Sequence, residues 1–204
     1  MTNEIPDHLF KRQDDAPDEL FYAVPRMVNH IDDKTINEIT RFYQEALNPD
    51  HELLDLMSSW VSHLPVDVAY KKVTGLGMNL AELNANYRLD EAVVHNLNEN
   101  PILPFQDAGF DAVMIVVSIQ YLTRPFEVFE EIQRVLKPGG KCIVAMSHRL
   151  FPTKAIYAFQ TLAPQDRVQL VQEYMRRAGL ADIEFIDRSP ENADPLWIVQ
   201  GFNR

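Results

Sequence analysis

From residue 51 onward, short apolar runs alternate with stretches in which apolar residues recur every three or four positions. The first pattern predicts β-strands and the second predicts amphipathic helices. The run FDAVMIVVSI is almost unbroken, which is typical of a strand buried on both faces of a parallel sheet. The predicted strands cover residues 51–57, 67–77, 91–97, 110–119, 141–148, 183–188 and 195–203. The predicted helices cover residues 79–87, 125–136 and 164–179, and KPGG at 137–140 predicts a tight turn.

The order of these elements predicts the fold class. Strands that alternate with helices indicate a mostly parallel sheet with helices on both faces. The last two strands are joined only by a short polar loop, so we expect them to pair antiparallel. The sequence therefore predicts an α/β/α sandwich with a seven-stranded, mostly parallel sheet and a C-terminal antiparallel hairpin.

Residues 1–50 follow a different pattern. They hold eleven Asp or Glu against five Lys or Arg, and they begin with a polar stretch. One helix is predicted here, with Asp32 or Asp33 as its N-cap and Asn48-Pro49 as its end. Its apolar stripe consists of Ile36, Ile39, Tyr43, Ala46 and Leu47. We therefore divide the chain into an acidic, helical segment at 1–50 and a domain at 51–204.

Charge and composition narrow the function classes. The 204 residues carry a formal net charge of −11 at pH 7, which disfavours nucleic acid and anionic membranes as partners. No apolar run has the roughly 20 residues of a membrane span, and the start MTNEIPDHLF has no signal-peptide character, so we expect a cytoplasmic protein. The single cysteine, Cys142, excludes an internal disulfide and is interpreted as an inert core thiol. The histidine spacing predicts no metal site, and the sequence leaves the oligomeric state open.

Several short motifs in the second half of the chain match one enzyme family in their order and spacing. They are Leu103-Pro104-Phe105, Phe110-Asp111-Ala112-Val113, Tyr121-Leu122 and Arg134-Val135-Leu136-Lys137-Pro138-Gly139-Gly140. Over residues 51–203 the chain resembles the class I S-adenosylmethionine-dependent methyltransferases, in particular the methyltransferase type 11 group. The resemblance implies a Rossmann-like fold, S-adenosylmethionine as the cofactor and a small molecule as the methyl acceptor. It also implies that the N-terminal segment closes over the cofactor as a lid.

The candidate cofactor site follows from the strand ends. In an open α/β sheet, ligands bind at the carboxyl ends of the strands, near the point where the strand order reverses. The resemblance implies that the methionine part of the cofactor lies at the turn after the first strand. It places the ribose after the second strand and the adenine after the third. The candidate cofactor residues are Asp55, Met57, Ser58, Ser59, Gly77, Met78, Asn79, Asn96, Leu97, Asn98 and Ser118.

Three features differ from the family pattern. The usual glycines of the first turn are Met57, Ser59 and Val61 here. Gly77 stands where the family has the acid that binds the ribose hydroxyls, and Asn96 stands where an acid commonly faces the adenine. S-adenosylmethionine carries no pyrophosphate, so a glycine-tight loop is less necessary than in a dinucleotide enzyme. The serine hydroxyls of the turn can act as additional donors.

The ribose position leaves two interpretations open. In the first, Gly77 leaves space beside Asn79, whose amide reaches the ribose although Asn79 also has the position of a helix N-cap. In the second, the ribose pocket is vacant. The first favours an enzyme that transfers a methyl group from S-adenosylmethionine to a small molecule. The second favours a non-catalytic binding or regulatory protein with a degenerate cofactor site. A nicotinamide-dependent oxidoreductase would need a glycine fingerprint that is absent.

Candidates for the acceptor site come from the N-terminal segment and the later strand ends. Tyr22, Arg26 and His30 recur every four residues, which would align them on one helix face, although Pro25 interrupts that helix and a solvated face is the alternative. The candidate lid and substrate residues are Tyr22, Arg26, Tyr121 and Arg149, and the loop LFPTKA that follows Arg149 is a candidate lining of the substrate pocket. His148 and His30 are the candidate bases, because transfer to O or N near pH 7 needs a proton acceptor.

Overall fold

A computed structural model describes residues 5–204, and residues 1–4 of the predicted N-terminal segment lie outside the described part. The strands are β1 (Glu52–Leu56), β2 (Lys72–Gly77), β3 (Glu91–Val94), β4 (Phe110–Val116), β5 (Leu136–Met146), β6 (Ala181–Asp187) and β7 (Trp197–Phe202). The α-helices are α1 (Asp18–Tyr22), α2 (Asp33–Ala46), α3 (Leu80–Ala85), α4 (Pro125–Val135), α5 (Tyr157–Thr161) and α6 (Pro164–Arg177). Short 3-10 helices cover Asp7–Phe10 and Ile119–Tyr121.

The strands form one sheet in the order β3-β2-β1-β4-β5-β7-β6. β1 lies parallel to β2 on one side and to β4 on the other, with Asp55 opposite Gly75 and Met114. β7 runs antiparallel to both β5 and β6. The predicted fold class is therefore confirmed, including the C-terminal hairpin. The strand order reverses between β1 and β4, so their carboxyl ends form the crevice in which such sheets bind ligands.

Two boundaries differ from the predictions. The second strand begins at Lys72 rather than at residue 67, because its neighbour β1 begins at Glu52, which pairs with Lys72. Residues before Lys72 have no strand beside them, although Val68 and Tyr70 continue the alternating pattern. The KPGG turn interrupts β5 instead of preceding it. Leu136 pairs with Phe110, and the next pairing joins Lys141 to Ala112, so the four turn residues loop out between two paired stretches.

Two hydrophobic clusters cover the two faces of the sheet. One face packs against α4 and α6, through buried residues such as Phe129, Ile132 and Met175. The other packs against α2, of which Ile39 and Tyr43 are fully buried. The predicted apolar stripe of α2 thus contacts the sheet. Within residues 5–204, no helix combines the length and the apolar character that crossing a membrane requires.

The chain before α2 crosses the carboxyl ends of the strands and is held there by a buried charge network. We call residues 11–31 the strap. The ammonium group of Lys154 is fully buried and donates to the carbonyl of Ala16 at 2.7 Å. Lys154 also lies 3.4 Å from the carboxylate of Asp18, which accepts a 2.7 Å bond from Arg12. A buried ammonium group needs such partners, so the strap is anchored to the loop that follows β5.

The N-cap of α2 provides a stability test. Asp32 accepts a bond from the backbone N–H of Thr35 at 3.0 Å and another from that of Asp194, whereas Asp33 is the first residue of the helix. Asp32→Ala should lower the free energy of unfolding by about 1 to 2 kcal/mol in urea denaturation, because both donors lose their acceptor. Asp33→Ala is the matched control. An equal loss in the two variants would show that Asp32 does not act as the cap.

Candidate functional site

A cavity of about 290 Å³ opens at the carboxyl ends of the central strands, beneath the strap. Its volume is at the lower end of the range for small-molecule sites. Three groups of side chains and backbone surround it: the ends of β1, β2, β3 and β4 together with the start of α3, the strap, and the loop after β5. The lining residues are Asp18, Tyr22, Arg26, His30, Met57, Ser58, Ser59, Leu76, Gly77, Met78, Asn79, Glu82, His95, Asn96, Leu97, Asn98, Val116, Val117, Ser118, Tyr121, Leu122, Arg149, Leu150 and Phe151.

The loop after β1 lies directly against the end of β2. The backbone N–H of Ser58 donates to the carbonyl of Leu76 at 2.8 Å. A Cβ atom added to Gly77 would lie 2.2 Å from the carbonyl oxygen of Ser58, a separation that real Cβ atoms do not show. Gly77 is therefore required for this close approach. The interpretation that Gly77 leaves space for the amide of Asn79 is wrong, because the backbone of Ser58 occupies that space.

Two non-glycine residues at the strand ends adopt left-handed backbone conformations. Met57, which replaces a usual glycine, has φ of 59°, and the β-branched Val117 after β4 has φ of 47°. Such a conformation costs on the order of 1 kcal/mol or more. Both residues line the cavity, so part of the backbone strain of the molecule lies at the ends of β1 and β4.

Asp55 does not line the cavity. Its carboxylate is buried and accepts bonds from the hydroxyls of Ser58 at 2.7 Å and Ser62 at 2.6 Å. Burial raises the pKa of Asp55 to about 6, against the opposing effect of the two hydroxyl bonds. The prediction of a direct cofactor contact is not supported for Asp55, because its hydrogen bonds shape the β1 loop from behind.

Asn79 is the N-cap of α3 and also an attachment point for the strap. Its side-chain oxygen accepts bonds from the N–H groups of Ala81 and Glu82. Its amide nitrogen donates to the carbonyl of Tyr22 at 2.8 Å and to that of Ala23 at 3.3 Å. Both amide hydrogens are thus used within the protein. The predicted cap is confirmed, whereas a ribose contact by Asn79 would require the strap to release it.

Glu82 is the acid that sequence reasoning missed at this place. It is buried in the first turn of α3 and lines the cavity. One carboxylate oxygen accepts from the hydroxyl of Ser59 at 2.6 Å, and the other accepts from the backbone N–H of Arg26 at 2.7 Å. The spacing from Asn79 to Glu82 is that of a capping box. In the structure Glu82 instead joins the β1 loop to the strap.

The amides after β3 line the cavity but are bonded to the protein. The side-chain oxygen of Asn96 accepts from the N–H of Asn98, and its amide donates to Glu19 at 2.6 Å. Asn98 donates to Asp18 at 2.8 Å and to the carbonyl of Tyr121 at 3.0 Å. These side chains therefore hold the strap and the β4 loop in place, which is the ordinary use of amides at turns.

Ser118 is different, because its buried hydroxyl has no hydrogen-bond partner within residues 5–204. It follows β4 and lines the cavity, whose wall also includes the apolar side chains of Leu76, Met78, Leu97 and Val116. A buried hydroxyl without a partner is costly, and a ligand can supply the missing bond. Ser118 can therefore form a hydrogen bond to a ligand in the cavity.

A group of aromatic side chains forms another part of the cavity wall, which we call the aromatic end. The ring of Phe151 is stacked against Tyr121 at 5.8 Å between centroids and meets His30 edge-on at 5.2 Å. The hydroxyl of Tyr121 accepts a 2.9 Å bond from the N–H of Phe151. The guanidinium of Arg26 lies 4.3 Å from the ring centre of Phe21 and 5.5 Å from that of Phe151. Cation–π contact of this kind holds Arg26 at the cavity wall.

Only one of the two candidate bases is in the cavity. His30 lines it, and burial lowers the pKa of His30, with Glu82 opposing and Arg26 adding to the shift. His148 does not line it and instead lies 3.4 Å from the carboxylate of Asp194. Arg149 lines the cavity while pairing with Asp194 at 2.9 Å. The prediction of His148 as a base is therefore not supported by its position.

All candidate site residues except Asp55 and His148 line one cavity. The lining residues that were not individual candidates are Asp18, Leu76, Glu82, His95, Val116, Val117, Leu122, Leu150 and Phe151. Leu150 and Phe151 lie in the loop LFPTKA, which the sequence had indicated as a candidate lining of the substrate pocket. Asp18 and Glu82 lie on helices whose approach to the cavity depends on contacts distant in sequence. Within the described residues, no group of three or more His, Cys, Asp or Glu could hold a metal ion.

Comparisons with known proteins point to one family. Residues 58–144 match the family model described as a methyltransferase domain. A demethylmenaquinone methyltransferase from Renibacterium salmoninarum is 32% identical over 112 residues, which cover 53% of this chain and 47% of that protein. The chain spans about half the length of this curated relative.

Two solved structures share the fold. A 4+2 cyclase, SpnF, has a TM-score of 0.62 and 18% identity, and the match covers 82% of this chain and 81% of that one. Phosphoethanolamine N-methyltransferase 2 from Haemonchus contortus, in complex with S-adenosyl-L-methionine, has a TM-score of 0.55 and 14% identity, over 83% of this chain and 52% of that one. At these identities the likeness shows the fold alone.

The contact at Gly77 provides the first test of the site. Gly77→Ala should lower the free energy of unfolding by about 1 to 3 kcal/mol, because its Cβ would force the Ser58 backbone away. Gly109→Ala is the control, since a Cβ there meets its nearest atom at 3.4 Å. Urea denaturation measures both. An unchanged stability of Gly77→Ala would show that the β1 loop does not rest on Gly77.

The buried Asp55 gives a pH-dependent test. Its folded-state pKa of about 6 lies above the ordinary aspartate pKa of 3.8, so its contribution to stability is present below pH 4 and is lost as the pH rises through 6. The wild type should lose up to about 3 kcal/mol relative to Asp55→Asn between those limits. Chemical denaturation across this pH range measures the difference. A constant difference between the two proteins would contradict the raised pKa of Asp55.

Proposed function

We infer that the chain is a class I S-adenosylmethionine-dependent methyltransferase, and we propose that it transfers a methyl group from S-adenosylmethionine to a small-molecule acceptor. The observation that carries the proposal is the cavity at the reversal of strand order, which the strap covers. Ligands of open α/β sheets bind at this place. The unpartnered Ser118 hydroxyl within that cavity supports the presence of a bound ligand.

We assign the cofactor to the part of the cavity formed by the strand ends. The loop Met57–Ser59 would contact the methionine part, Met78 and Leu97 would pack against the nucleoside, and Ser118 would donate a hydrogen bond. Glu82 is the remaining acid near the end of β2. Each of its oxygens accepts one protein bond and keeps further acceptor capacity for a ribose hydroxyl. The residues present thus fit the cofactor without the usual glycines.

When bound, the cofactor supplies an electrophilic methyl group on a sulfonium. The chain's own contribution is alignment, because holding the acceptor in line with that methyl replaces a bimolecular encounter. The strap contributes by covering the cavity, with Asn79 and Glu82 bonded to Tyr22, Ala23 and Arg26. His30 is the proposed base, because it lines the cavity and its lowered pKa keeps it neutral at pH 7.

Some contacts at the strand ends favour a second function, in which the protein binds a ligand without transferring a methyl group. The Ser58 backbone fills the place of the ribose acid, and the amides of Asn79 and Asn98 are bonded to the protein. These features favour a scaffold that binds a ligand without transferring a methyl group. The cyclase among the structures with this fold illustrates that fold does not determine the reaction.

Calorimetric titration with S-adenosylhomocysteine tests the proposal. We expect saturable binding, and Ser118→Ala should weaken it by about 0.5 to 1.5 kcal/mol through the lost hydrogen bond. Ser147→Ala is a matched control, because Ser147 also has a buried hydroxyl without a partner in residues 5–204 but lies outside the cavity. A folded protein that does not bind the ligand would overturn the cofactor assignment.

The two functions are then separated by activity. Incubation with S-adenosylmethionine carrying a labelled methyl group and a metabolite extract should label a small molecule if the chain is a methyltransferase. Binding without labelling in extracts from several sources would favour the non-catalytic alternative. His30→Gln should lower labelling while leaving the affinity for S-adenosylhomocysteine within about twofold.

A further inference from the structure

We propose that the methyl acceptor is a planar phenol or enol that binds as its anion at the aromatic end of the cavity, between Arg26, His30 and Phe151. The proposal rests on the proposed function, because it names the acceptor class of the same cavity. It follows from three features of this end: flat aromatic surface, a cation without a counter-ion, and a neutral base beside both.

The surface favours a planar acceptor. Tyr22, Tyr121 and Phe151 line this end of the cavity, and the stacking of Tyr121 on Phe151 fixes the orientation of both rings. Leu150 and Leu122 add apolar surface. Aromatic rings prefer to pack on such surfaces in stacked or edge-to-face arrangements. A flexible, fully polar acceptor would make no favourable contact with this aromatic and apolar surface.

The charge favours an anion. Within residues 5–204, the Arg26 guanidinium forms no ion pair, and it donates to the carbonyl of Phe21 at 2.9 Å. Five N–H groups are available on a guanidinium, so others remain for a ligand. Arg26 is also held in place by its backbone bond to Glu82 and by the Phe21 ring. Its positive charge is therefore fixed at the cavity wall.

The acids that line the cavity are already neutralised or bonded. Asp18 is paired with Arg12 and Lys154 and accepts from Asn98. Glu82 accepts from Ser59 and from the strap backbone. The other titratable lining groups are Tyr22, Tyr121, His95 and Arg149. Burial raises the pKa of both tyrosines, so they stay neutral and can donate hydrogen bonds to an anionic oxygen.

The base completes the site. The ring nitrogens of His30 have no hydrogen-bond partner among the described residues, and its ring contacts Phe151. The proton of the acceptor O–H would pass to a ring nitrogen of His30. The resulting oxygen anion, or its conjugated carbon, would form the bond to the methyl carbon. The carbon–sulfur bond would break with its electron pair remaining on sulfur, which leaves a neutral thioether, and His30 would then release the proton to solvent.

This arrangement disfavours an amine acceptor. Transfer to a neutral amine generates a cationic product, which Arg26 at the same wall would repel. Transfer to a phenolate or enolate removes charge from both reactants and leaves neutral products. Arg26 also lowers the cost of forming the anion before transfer, because a nearby cation favours the ionised form of an acid.

Binding of 4-nitrophenol tests the proposal without any methyl transfer. This compound ionises near neutral pH and changes its absorbance when it does. It should bind to the protein saturated with S-adenosylhomocysteine, and bound 4-nitrophenol should ionise at least one pH unit lower than free 4-nitrophenol, an approximately tenfold preference for the anion. The neutral analogue 4-nitroanisole and the amine 4-nitroaniline should each bind at least tenfold more weakly than the anion.

Substitutions at Arg26 and Phe151 locate the effect. Arg26→Met keeps the apolar stem and should abolish the shift in the ionisation of 4-nitrophenol, whereas Arg26→Lys should retain part of it. Arg124→Met, at a partly buried arginine that pairs with Glu127 outside the cavity, is the matched control and should leave that ionisation unchanged. Phe151→Leu should weaken the binding of all three ring compounds by a similar factor, because it removes aromatic surface and no charge.

The outcomes separate this proposal from the cofactor assignment. If S-adenosylhomocysteine binds but 4-nitrophenol binds no better than 4-nitroanisole, or binds in its neutral form, the acceptor class is wrong and the proposed function stands. If 4-nitroaniline binds best, the site selects amines and the proposal is overturned. If S-adenosylhomocysteine does not bind, the proposed function fails first. If Arg26→Met does not fold, the affinities of the wild type and of Arg26→Lys for the three compounds still test whether the site selects an anion.

Discussion

The contact between the Ser58 carbonyl and Gly77 is the constraint on which the site depends. A side chain at Gly77 would collide with that oxygen, so the end of β2 and the loop after β1 can meet only because the residue is glycine. The contact places Ser58 where it bonds to Asp55 behind the loop, and places Ser59 where it bonds to Glu82. The departures from the family pattern at the first turn and at the end of β2 thus meet in one contact, in which the loop after β1 lies against the end of β2.

α3 and the strap are joined to the β1 loop by two polar side chains. Glu82 connects Ser59 to the backbone of Arg26, and Asn79 connects α3 to Tyr22. On the far side, Lys154 and Asp18 attach the strap to the loop after β5. The strap is therefore an integral wall of the cavity. Because the same strap carries Arg26 and His30, its contacts determine where that positive charge and that imidazole lie at the cavity wall.

The fold was predictable from local pattern, whereas much of the site was not. The unbroken run of β4 and the loop between β6 and β7 are local signals, and both led to the correct sheet. The strand ends then identified most of the cavity lining, because parallel strands place their carboxyl ends together. The role of Gly77 was missed because its contact is with Ser58, which lies on another strand's loop. Asp55 was misplaced for a similar reason: a buried acid at a strand end can face a ligand or its own loop, and only the positions of Ser58 and Ser62 decide between them.

The central claim is that a ligand binds between the strand ends and the strap. Hydrogen–deuterium exchange with and without S-adenosylhomocysteine tests it most directly, because exchange reports opening of each backbone segment. The account predicts slower exchange on binding in the strap, in the loop after β1 and in the first turn of α3, with the β6–β7 hairpin unchanged. Binding that protects none of the strap, or that protects only segments remote from the strand ends, would contradict the account.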